Sequence, residues 1–405
     1  MKQLSVLLAG AGGYGNVYLK ALLDEKKDDH FVISAIVDPK PQNSHYYQRI
    51  KDLGIPIYST MEAFYEEGRA DLAIIVSPIQ YHCSQTCLAL SQGSHVLCEK
   101  PASAVIQEID RMIEARDRAS RMVAIGYQWS FSDTIQELKK DIQKGFLGKP
   151  KRLKSLVLWP RRQSYFQRNN WAGKKMDDKG NWILDSVVNN ATAHYLHNMF
   201  YVLGKEIDRS ARPEWVVAEL YRANDIENFD TAAVRVQTEE GVELLFIASH
   251  AVDIERGPAF CYEFEKATVV YERAQKNERS EVIAVFKDGT QKSYGDPFRK
   301  EAGKLWRTMN AIRGNEITPC GLEAASSHTL CVNGMQESVK DIPSFPEELI
   351  RVDETDPKDP LVFMENLVQL LTDCYESWKM PHEAGILWAK AGQRVELRGY
   401  KEFNG

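Results

Sequence analysis

The sequence predicts an α/β protein in two parts: a doubly wound parallel sheet, then an α+β domain with a largely antiparallel open sheet. Three observations predict this class. A glycine-rich turn follows the first apolar segment, and apolar segments then alternate with amphipathic ones up to about residue 130. Longer strand-like segments separated by short charged turns such as "TEEG" and "KDG" follow later in the chain.

The first 130 residues contain short apolar segments that read as buried strands. Helix-like segments such as "YGNVYLKALLDEKK" and "VIQEIDRMIEARDRAS" separate them. Because the strands are apolar on both faces, we expect a parallel sheet covered by helices on both sides. The strands are "LSVLLAG" (4–10), "FVISAIVD" (31–38), "IPIYS" (55–59), "ADLAIIVSP" (70–78), "HVLCEK" (95–100) and "RMVAIGYQ" (121–128).

The pattern changes at about residue 131. A helix and the strand "KRLKSLVLWP" lead into a polar loop, a helical segment up to Gly204 and several consecutive strands. Helices are expected near 296–314 and 322–339, and a further one in "LVFMENLVQLLTDCYESWK" near the end. We therefore expect a nucleotide-binding domain over 1–130, a substrate and oligomerisation domain over 131–340, and a helix-containing extension over 341–405.

Composition excludes several classes of function. The 405 residues carry a formal net charge of -6, so the chain lacks the cationic character that recruits nucleic acid or anionic lipid. No run approaches the roughly 20 apolar residues of a membrane helix. Seven cysteines without framework spacing predict reduced thiols in a cytoplasmic protein. The His and Cys spacings offer no complete ligand set, so no metal is expected.

The turn "GAGGYG" places Gly10, Gly12 and Gly15 in G-x-G-x-x-G spacing after a strand and before a helix. This context is typical of a Rossmann dinucleotide site, where the glycines allow a tight turn and close approach of pyrophosphate. Asp38 ends the second strand, 23 residues after Gly15, where a carboxylate can accept the ribose 2′-hydroxyl. It repels a 2′-phosphate, so NAD is favoured over NADP, although Lys40 softens that preference.

The segment "CEKP" ends the fifth strand of this sheet. Ligands of such sheets bind outside the carboxyl ends of the strands, so Lys100 is expected beside the nicotinamide. An ammonium there can stabilise an alkoxide-like substrate oxygen. The alternative for this stretch alone is a solvated lysine. We also predict a cis Lys100–Pro101 bond.

The order of "GAGGYG", "VDP", "SPIQYHCSQTCLALSQGSHVLCEKPA" and "IGYQ" resembles the Gfo/Idh/MocA oxidoreductases, a family that includes inositol dehydrogenases and glucose–fructose oxidoreductases. The resemblance implies that Lys100 is the catalytic lysine, that Ser77, Pro78 and His82 line the cofactor, and that Gln128 lies near nicotinamide and substrate. It also implies an open C-terminal sheet that often forms an oligomer interface. Together, motif and resemblance predict this cofactor-binding set: Gly10, Ala11, Gly12, Gly13, Tyr14, Gly15, Asp38, Ser77, Pro78, His82, Glu99, Lys100 and Gln128.

The second half of the family's site resembles "GNWILDSVVNNATAHYLHNMFYVLG". Counting back from Gly204 puts His194 in the histidine position and Asn190 in the aspartate position; counting forward from Gly180 makes Asp185 the aspartate. Helix register favours Asn190, but both stay open as catalytic candidates beside Lys100 and His194. The alternative for His194 is a helix-face histidine satisfied by Asn190. The predicted substrate set is Lys100, Gln128, Arg161, Trp171, His194 and His197.

These observations predict an NAD-dependent oxidoreductase acting on a polyhydroxylated small molecule, namely a sugar, sugar derivative or cyclitol. We expect a homodimer or homotetramer, with neither nucleic acid nor membrane as partner. Two alternatives remain: an NAD-dependent redox-assisted glycosidase of the same family, and a non-catalytic NAD-binding sensor.

Overall fold

A computed structural model describes residues 3–25, 30–273, 280–298, 302–314 and 317–405. The chain divides into two compact units. Unit 1 comprises Met1–Ser132 and Phe298–Ser326, and unit 2 comprises Asp133–Pro297 and Ser327–Gly405. The predicted division into domains over 1–130 and 131–340 and an extension over 341–405 stays a prediction. Parts of two predicted helices, residues 26–27 and 299–301, lie outside the described residues.

Unit 1 contains the predicted parallel sheet. Every neighbouring pair is parallel, and the strand order is β3-β2-β1-β4-β5-β6. The central strands are apolar because both of their faces are covered; Leu7, Leu8, Ile74 and Ile75 are fully buried. The strands are β1 (Leu4–Ala9), β2 (Phe31–Val37), β3 (Ile57–Tyr58), β4 (Leu72–Ile75), β5 (His95–Cys98) and β6 (Val123–Ile125).

The direction of winding reverses between β1 and β4, which creates the switch point where such sheets bind ligands. Backbone hydrogen bonds hold the carboxyl ends together, with Val76 N–H donating to the Ala9 carbonyl at 2.7 Å and Glu99 N–H to the Ile75 carbonyl at 2.8 Å. The helices between strands are α1 (Gly15–Lys20), α2 (Tyr47–Asp52), α3 (Met61–Glu67), α4 (His82–Ser91) and α5 (Ile106–Ala119).

Unit 2 is built on a nine-stranded sheet. Only the β7–β10 pair is parallel among its pairings, which confirms a largely antiparallel second sheet. Its order is β14-β13-β12-β11-β7-β10-β9-β8-β17. The elements up to β14 are α6 (Asp133–Gln143), β7 (Pro150–Leu158), α7 (Gln163–Phe166), α8 (Ala193–Leu203), β8 (Pro213–Tyr221), β9 (Thr231–Thr238), β10 (Glu243–Ser249), β11 (Arg256–Phe264), β12 (Ala267–Glu272), β13 (Val282–Phe286) and β14 (Gln291–Gly295).

The C-terminal segment covers part of this sheet. Side chains of β7 and β10 such as Leu156 and Ile247 form one buried cluster with Leu367 and Leu371 of the last helix. None of the described helices is long and apolar enough to cross a membrane. The remaining elements are α9 (Gly303–Ile312) in unit 1, α10 (Leu322–Ser338), β15 (Ile350–Asp353), β16 (Leu361–Met364), α11 (Leu367–Ser377) and β17 (Val395–Glu396).

Candidate functional site

The glycine loop between β1 and α1 has a geometry that side chains would block. Gly10 has a φ of 98°, and a Cβ there would lie 2.7 Å from the Val76 carbonyl oxygen. A Cβ on Gly15 would overlap the carbonyl of Gly10. These two glycines therefore allow the turn itself to form against the end of β4.

The outer side of the same loop is open, which is what a cofactor requires. A Cβ on Gly12 would meet only the Asn43 Cβ at 3.9 Å, and one on Gly13 would meet nothing within 4 Å. The loop thus leaves space against bare backbone, as a pyrophosphate group needs. In this respect the residues fit a dinucleotide.

Asp38 lies beside the loop, as expected, and also stabilises it. Its Oδ2 accepts hydrogen bonds from the backbone N–H of Ala11 at 2.7 Å and of Gly12 at 3.4 Å. Its Oδ1 accepts from the N–H of Lys40 at 2.8 Å. A carboxylate oxygen has two lone-pair sites, so Oδ1 retains capacity for one further donor.

Sequence reasoning missed Asn16, which connects the loop to the segment after β2. Its Nδ2 donates to the Gly13 carbonyl at 3.1 Å, while its Oδ1 accepts from Ser44 Oγ at 3.0 Å and from His45 N–H at 2.9 Å. The only local signal was an amide directly after the last glycine of the motif. Asn16 thus ties the glycine loop to the segment after β2.

Lys100 lies at the tip of β5, half-buried, and the Lys100–Pro101 bond is cis as predicted. His82, which is 1% exposed, braces this loop: its Nδ1 lies 2.8 Å from the Pro101 carbonyl and its Nε2 lies 2.9 Å from the Ser77 carbonyl. Desolvation lowers the pKa of His82 and outweighs the opposing effect of the two carbonyls. His82 therefore links the loops after β4 and β5 rather than exposing its ring.

Glu99 points away from the open edge and into a buried polar cluster. Glu99 is 7% exposed, and its Oε1 accepts from the Tyr18 hydroxyl and forms an ion pair with Lys304 Nζ. Lys304 Nζ also donates to the Gly126 carbonyl at 3.2 Å. The absence of a Cβ at Gly126 makes room, since one there would lie 2.8 Å from the carboxylate. The predicted cofactor contact of Glu99 is thus replaced by a positioning role.

Lys304 is the most consequential residue that sequence reasoning missed. It belongs to α9, is 2% exposed, and lies 205 positions along the chain from Glu99. Burial alone would lower the pKa of Lys304, but the Glu99 carboxylate and the Tyr14 hydroxyl raise it above its usual value. The lysine is therefore charged, and no local pattern signalled its partner.

Tyr14 and Gln128 approach each other at the same edge of unit 1. The Tyr14 hydroxyl donates to Gln128 Oε1 at 3.4 Å, and the Lys304 ammonium lies 4.6 Å from the centre of the Tyr14 ring. Ser77 and Pro78 follow β4 and are half-buried, with Ser77 Oγ donating to Gln85 Oε1 at 2.6 Å. The predicted cofactor set is thus drawn from neighbouring strand ends of one sheet.

In unit 2 the two rival aspartate positions are in direct contact. Asp185 is 3% exposed, and its Oδ1 accepts from Asn190 Nδ2 at 2.8 Å. Its Oδ2 accepts from the Gly173 N–H at 2.7 Å and from Arg168 at 3.1 Å. The helix-register argument for Asn190 is wrong, because α8 begins only at Ala193. Asp185 and Asn190 therefore form one hydrogen-bonded pair instead of being alternatives.

The two histidines of α8 have different surroundings. His194 is half-buried in the first turn. His197 is 0% exposed, and its ring stacks on Tyr201 at 5.6 Å between centroids. Burial, His328 and Lys139 hold the pKa of His197 well below its usual value. This placement argues against the predicted substrate contact of His197, because nothing of its side chain reaches solvent.

Arg161 and Trp171 lie in a set of stacked cations and rings around α7. The Arg161 guanidinium carbon lies 5.1 Å from the centre of the Tyr165 ring. Arg168, which sequence reasoning missed, lies 4.0 Å from the same ring centre and 5.0 Å from that of Trp171. Within the described ranges, no group of three or more His, Cys, Asp or Glu residues is placed to hold a metal ion.

Comparison with known proteins finds a family model that matches the first sheet. Residues 4–127 match the model of GFO_IDH_MocA, described as an oxidoreductase family with an NAD-binding Rossmann fold. Among curated relatives, the rhizopine catabolism protein MocA of Rhizobium meliloti is 27% identical over 36% of this chain and 45% of its own. Myo-inositol 2-dehydrogenase of Thermotoga maritima is 24% identical over 57% of this chain and 64% of its own. The chain therefore spans less than two thirds of either relative.

Solved structures share the fold over more of the chain. The WlbA dehydrogenase from Bordetella pertussis, in complex with NADH and UDP-GlcNAcA, is 20% identical with a TM-score of 0.69, covering 84% of this chain and 97% of its own. The aldose-aldose oxidoreductase from Caulobacter crescentus is 18% identical with a TM-score of 0.68, covering 84% and 98%. At such identities the likeness concerns the fold.

Proposed function

We propose that this chain, whose residues 4–127 match the model of the GFO_IDH_MocA oxidoreductase family, is an NAD-dependent oxidoreductase acting on a hydroxyl of a sugar, sugar derivative or cyclitol. The observation that carries the proposal is the position of Lys100, at the edge of the parallel sheet where the direction of winding reverses. Lys100 follows the β5 tip beside a glycine loop open to a dinucleotide, and two buried groups, His82 and Glu99, hold its loop. The likeness to sugar and inositol dehydrogenases supports the substrate class.

NAD is the proposed cofactor, in preference to NADP. The loop from Gly10 to Gly15 would hold its pyrophosphate, and the remaining lone pair of Asp38 Oδ1 would accept a ribose 2′-hydroxyl. A 2′-phosphate at this carboxylate would be repelled. Related folds have been solved with NADH and with NAD+, which agrees with this preference.

The bound nicotinamide supplies the chemistry of accepting or donating a hydride. The Lys100 ammonium hydrogen-bonds the reacting hydroxyl oxygen and stabilises its alkoxide-like form. His194 serves as the acid/base group, since an imidazole titrates near neutral pH. The Asp185–Asn190 pair supplies the carboxylate that a proton relay uses.

The test is turnover with a panel of sugars, inositols and sugar acids, each with NAD and NADP, followed by nicotinamide absorbance. Lys100→Ala is expected to lower kcat by roughly 10²–10⁴-fold while the Kd for NAD changes little, because the lysine acts on the hydroxyl rather than on the dinucleotide. Lys151→Ala is the matched control, since Lys151 is an exposed lysine of β7 in the other unit.

Three results would contradict the dehydrogenase. Unchanged kcat in Lys100→Ala would remove the lysine from the mechanism. Cleavage of an aryl glycoside without net NADH formation would indicate the redox-assisted glycosidase. Bound NAD with no turnover of any panel member would indicate the sensor.

A further inference from the structure

Arg161 of unit 2 is half-buried, and no carboxylate of the described residues pairs with its charge. Its guanidinium carbon lies 5.6 Å from the ring centre of Trp159 and 5.1 Å from that of Tyr165, and one N–H donates to the Pro160 carbonyl at 3.1 Å. Its neighbours differ: Arg162 pairs with Asp353 at 3.2 Å, and Arg168 with Asp185 at 3.1 Å. In the part of the chain that the structure describes, Arg161 forms no ion pair.

A second unsatisfied group lies next to this arginine. His250 is 1% exposed, and its Nδ1 donates to the Trp159 carbonyl at 2.8 Å, so its Nε2 carries a lone pair. That Nε2 is buried and has no hydrogen-bond partner among the described residues. The His250 ring centre lies 5.3 Å from that of Tyr165, the ring that Arg161 also contacts. Burial, with Arg161 and Arg168, lowers the pKa of His250 to about 3, so the ring stays neutral.

The backbone holds these groups at the ends of two strands. Trp159 N–H donates to the Ser249 carbonyl at 2.9 Å, and Arg161 N–H donates to the His250 carbonyl at 3.2 Å. Both hydrogen bonds lie just beyond the last register pair of β7 and β10, Leu158 with Ser249. The backbones of Arg161 and His250 are therefore joined directly where the two strands end.

The local charges add up to an excess of one positive charge. Arg161 and Arg168 face the same Tyr165 ring, and Asp185 neutralises only Arg168. A half-buried guanidinium on aromatic rings is well suited to bind an oxyanion, because it is weakly hydrated and presents a planar set of donors.

We infer that the Arg161 cluster, comprising Arg161, Tyr165, Arg168 and His250, binds the anionic group of the substrate. The inference rests on the proposed function and narrows its substrate class to polyhydroxylated carboxylates or phosphate esters, in preference to neutral polyols. The oxyanion lies on Arg161.

The test is direct binding by titration calorimetry on the full chain, with and without saturating NAD. The probes are D-glucuronate, D-glucose 6-phosphate, D-glucose and myo-inositol, so that carboxylate, phosphate and neutral polyol are separated. We expect at least one anionic probe to bind ten or more times tighter than either neutral one. Arg161→Gln should abolish this selectivity. Arg161→Lys should retain part of it, since lysine keeps the positive charge but lacks the planar set of guanidinium N–H donors.

Arg162→Gln is the matched control, because it removes the same charge one residue away from a side chain already paired with Asp353. It should leave the selectivity within about twofold. Equal binding of neutral and anionic probes, no binding by either anionic probe, or equal losses in the two glutamine variants would overturn the inference. Because the readout is binding, its failure is distinct from absent turnover in the dehydrogenase assay.

Discussion

The ion pair between Glu99 and Lys304 shows how much one side chain can contribute to the stability of unit 1. Both residues are almost fully buried, so their charges have little water to stabilise them. The pair connects the Lys100 loop to Tyr18 of α1 and to the backbone of Gly126. Lys304 therefore positions both the Lys100 loop and the helix after the glycine loop.

Lys304→Met should destabilise the protein by about 3–5 kcal/mol, because it leaves the Glu99 carboxylate buried without a counter-charge. The free energy of unfolding in urea measures this loss, and the Kd for NAD should rise in the same variant. The double variant Glu99→Gln with Lys304→Met is the control, since it removes both charges. It should recover much of the stability; a double variant as unstable as the single one would contradict the role of the ion pair.

The buried neutral His250 predicts a pH dependence of stability. Its pKa is about 3 in the folded chain, from burial first and then Arg161, against an ordinary value near 6.5 when unfolded. Between these values the unfolded state binds more protons, so stability is complete above about pH 6.5 and falls as the pH is lowered towards 3. At pH 5 the loss from this group amounts to roughly 2 kcal/mol.

Comparing wild type with His250→Asn isolates this contribution, because an asparagine amide can still donate to the Trp159 carbonyl. From pH 7 to pH 5 the unfolding free energy of the wild type should fall by about 2 kcal/mol more than that of the variant. Other buried histidines, such as His82 and His197, affect both proteins equally. Identical pH profiles would mean that His250 is not held neutral by burial.

At the scale of elements, the sheet of unit 2 anchors α11 through a buried lysine. Lys154 of β7 is 5% exposed, and its Nζ donates to the carbonyls of Tyr375 at 2.7 Å and Glu376 at 3.2 Å, at the end of that helix. It also lies 4.3 Å from the centre of the Tyr375 ring. A cation at a helix C-terminus satisfies carbonyls that lack partners and opposes the helix dipole.

Lys154→Met should lower the free energy of unfolding by about 2 kcal/mol, since it leaves these carbonyls buried without a donor. Lys151→Met, an exposed lysine on the same strand, should change stability by less than about 0.5 kcal/mol. Chemical unfolding of the two variants side by side provides the comparison. Equal effects would show that α11 is held by apolar packing alone.

At the scale of the whole chain, the segment after residue 341 covers part of the second sheet and so limits which surfaces of that sheet are open to a partner. The side chains of Leu156, Leu158, Leu245 and Ile247 pack against the C-terminal segment in one buried cluster. Glu219 of the same sheet is 0% exposed and accepts from the His382 ring at 2.6 Å. This part of the sheet is covered from within the chain. The predicted homodimer or homotetramer would therefore have to use other surfaces.

Much of unit 1 could be predicted because its constraints are local. A tight turn against a strand end needs glycine at positions 10 and 15, and strands covered on both faces need apolar runs. The positions of Asp38 and Lys100 follow from the chain leaving parallel strands at one edge of a sheet. The expectation for Glu99 was less successful, since which way its carboxylate points depends on a partner far along the chain.

The sequence by itself determined the doubly wound sheet, the open glycine loop, the acidic residue beside it and the lysine at the tip of β5. Only the tertiary structure decided that Lys304 neutralises Glu99, that Asp185 and Asn190 are partners, that His197 is buried, and that Arg161 stands beside an unsatisfied His250. The physical reason is the distance along the sequence between the residues that determine each feature. Backbone conformation and strand burial are encoded within a few residues, whereas the pairing of buried charges depends on which distant segments the fold brings into contact.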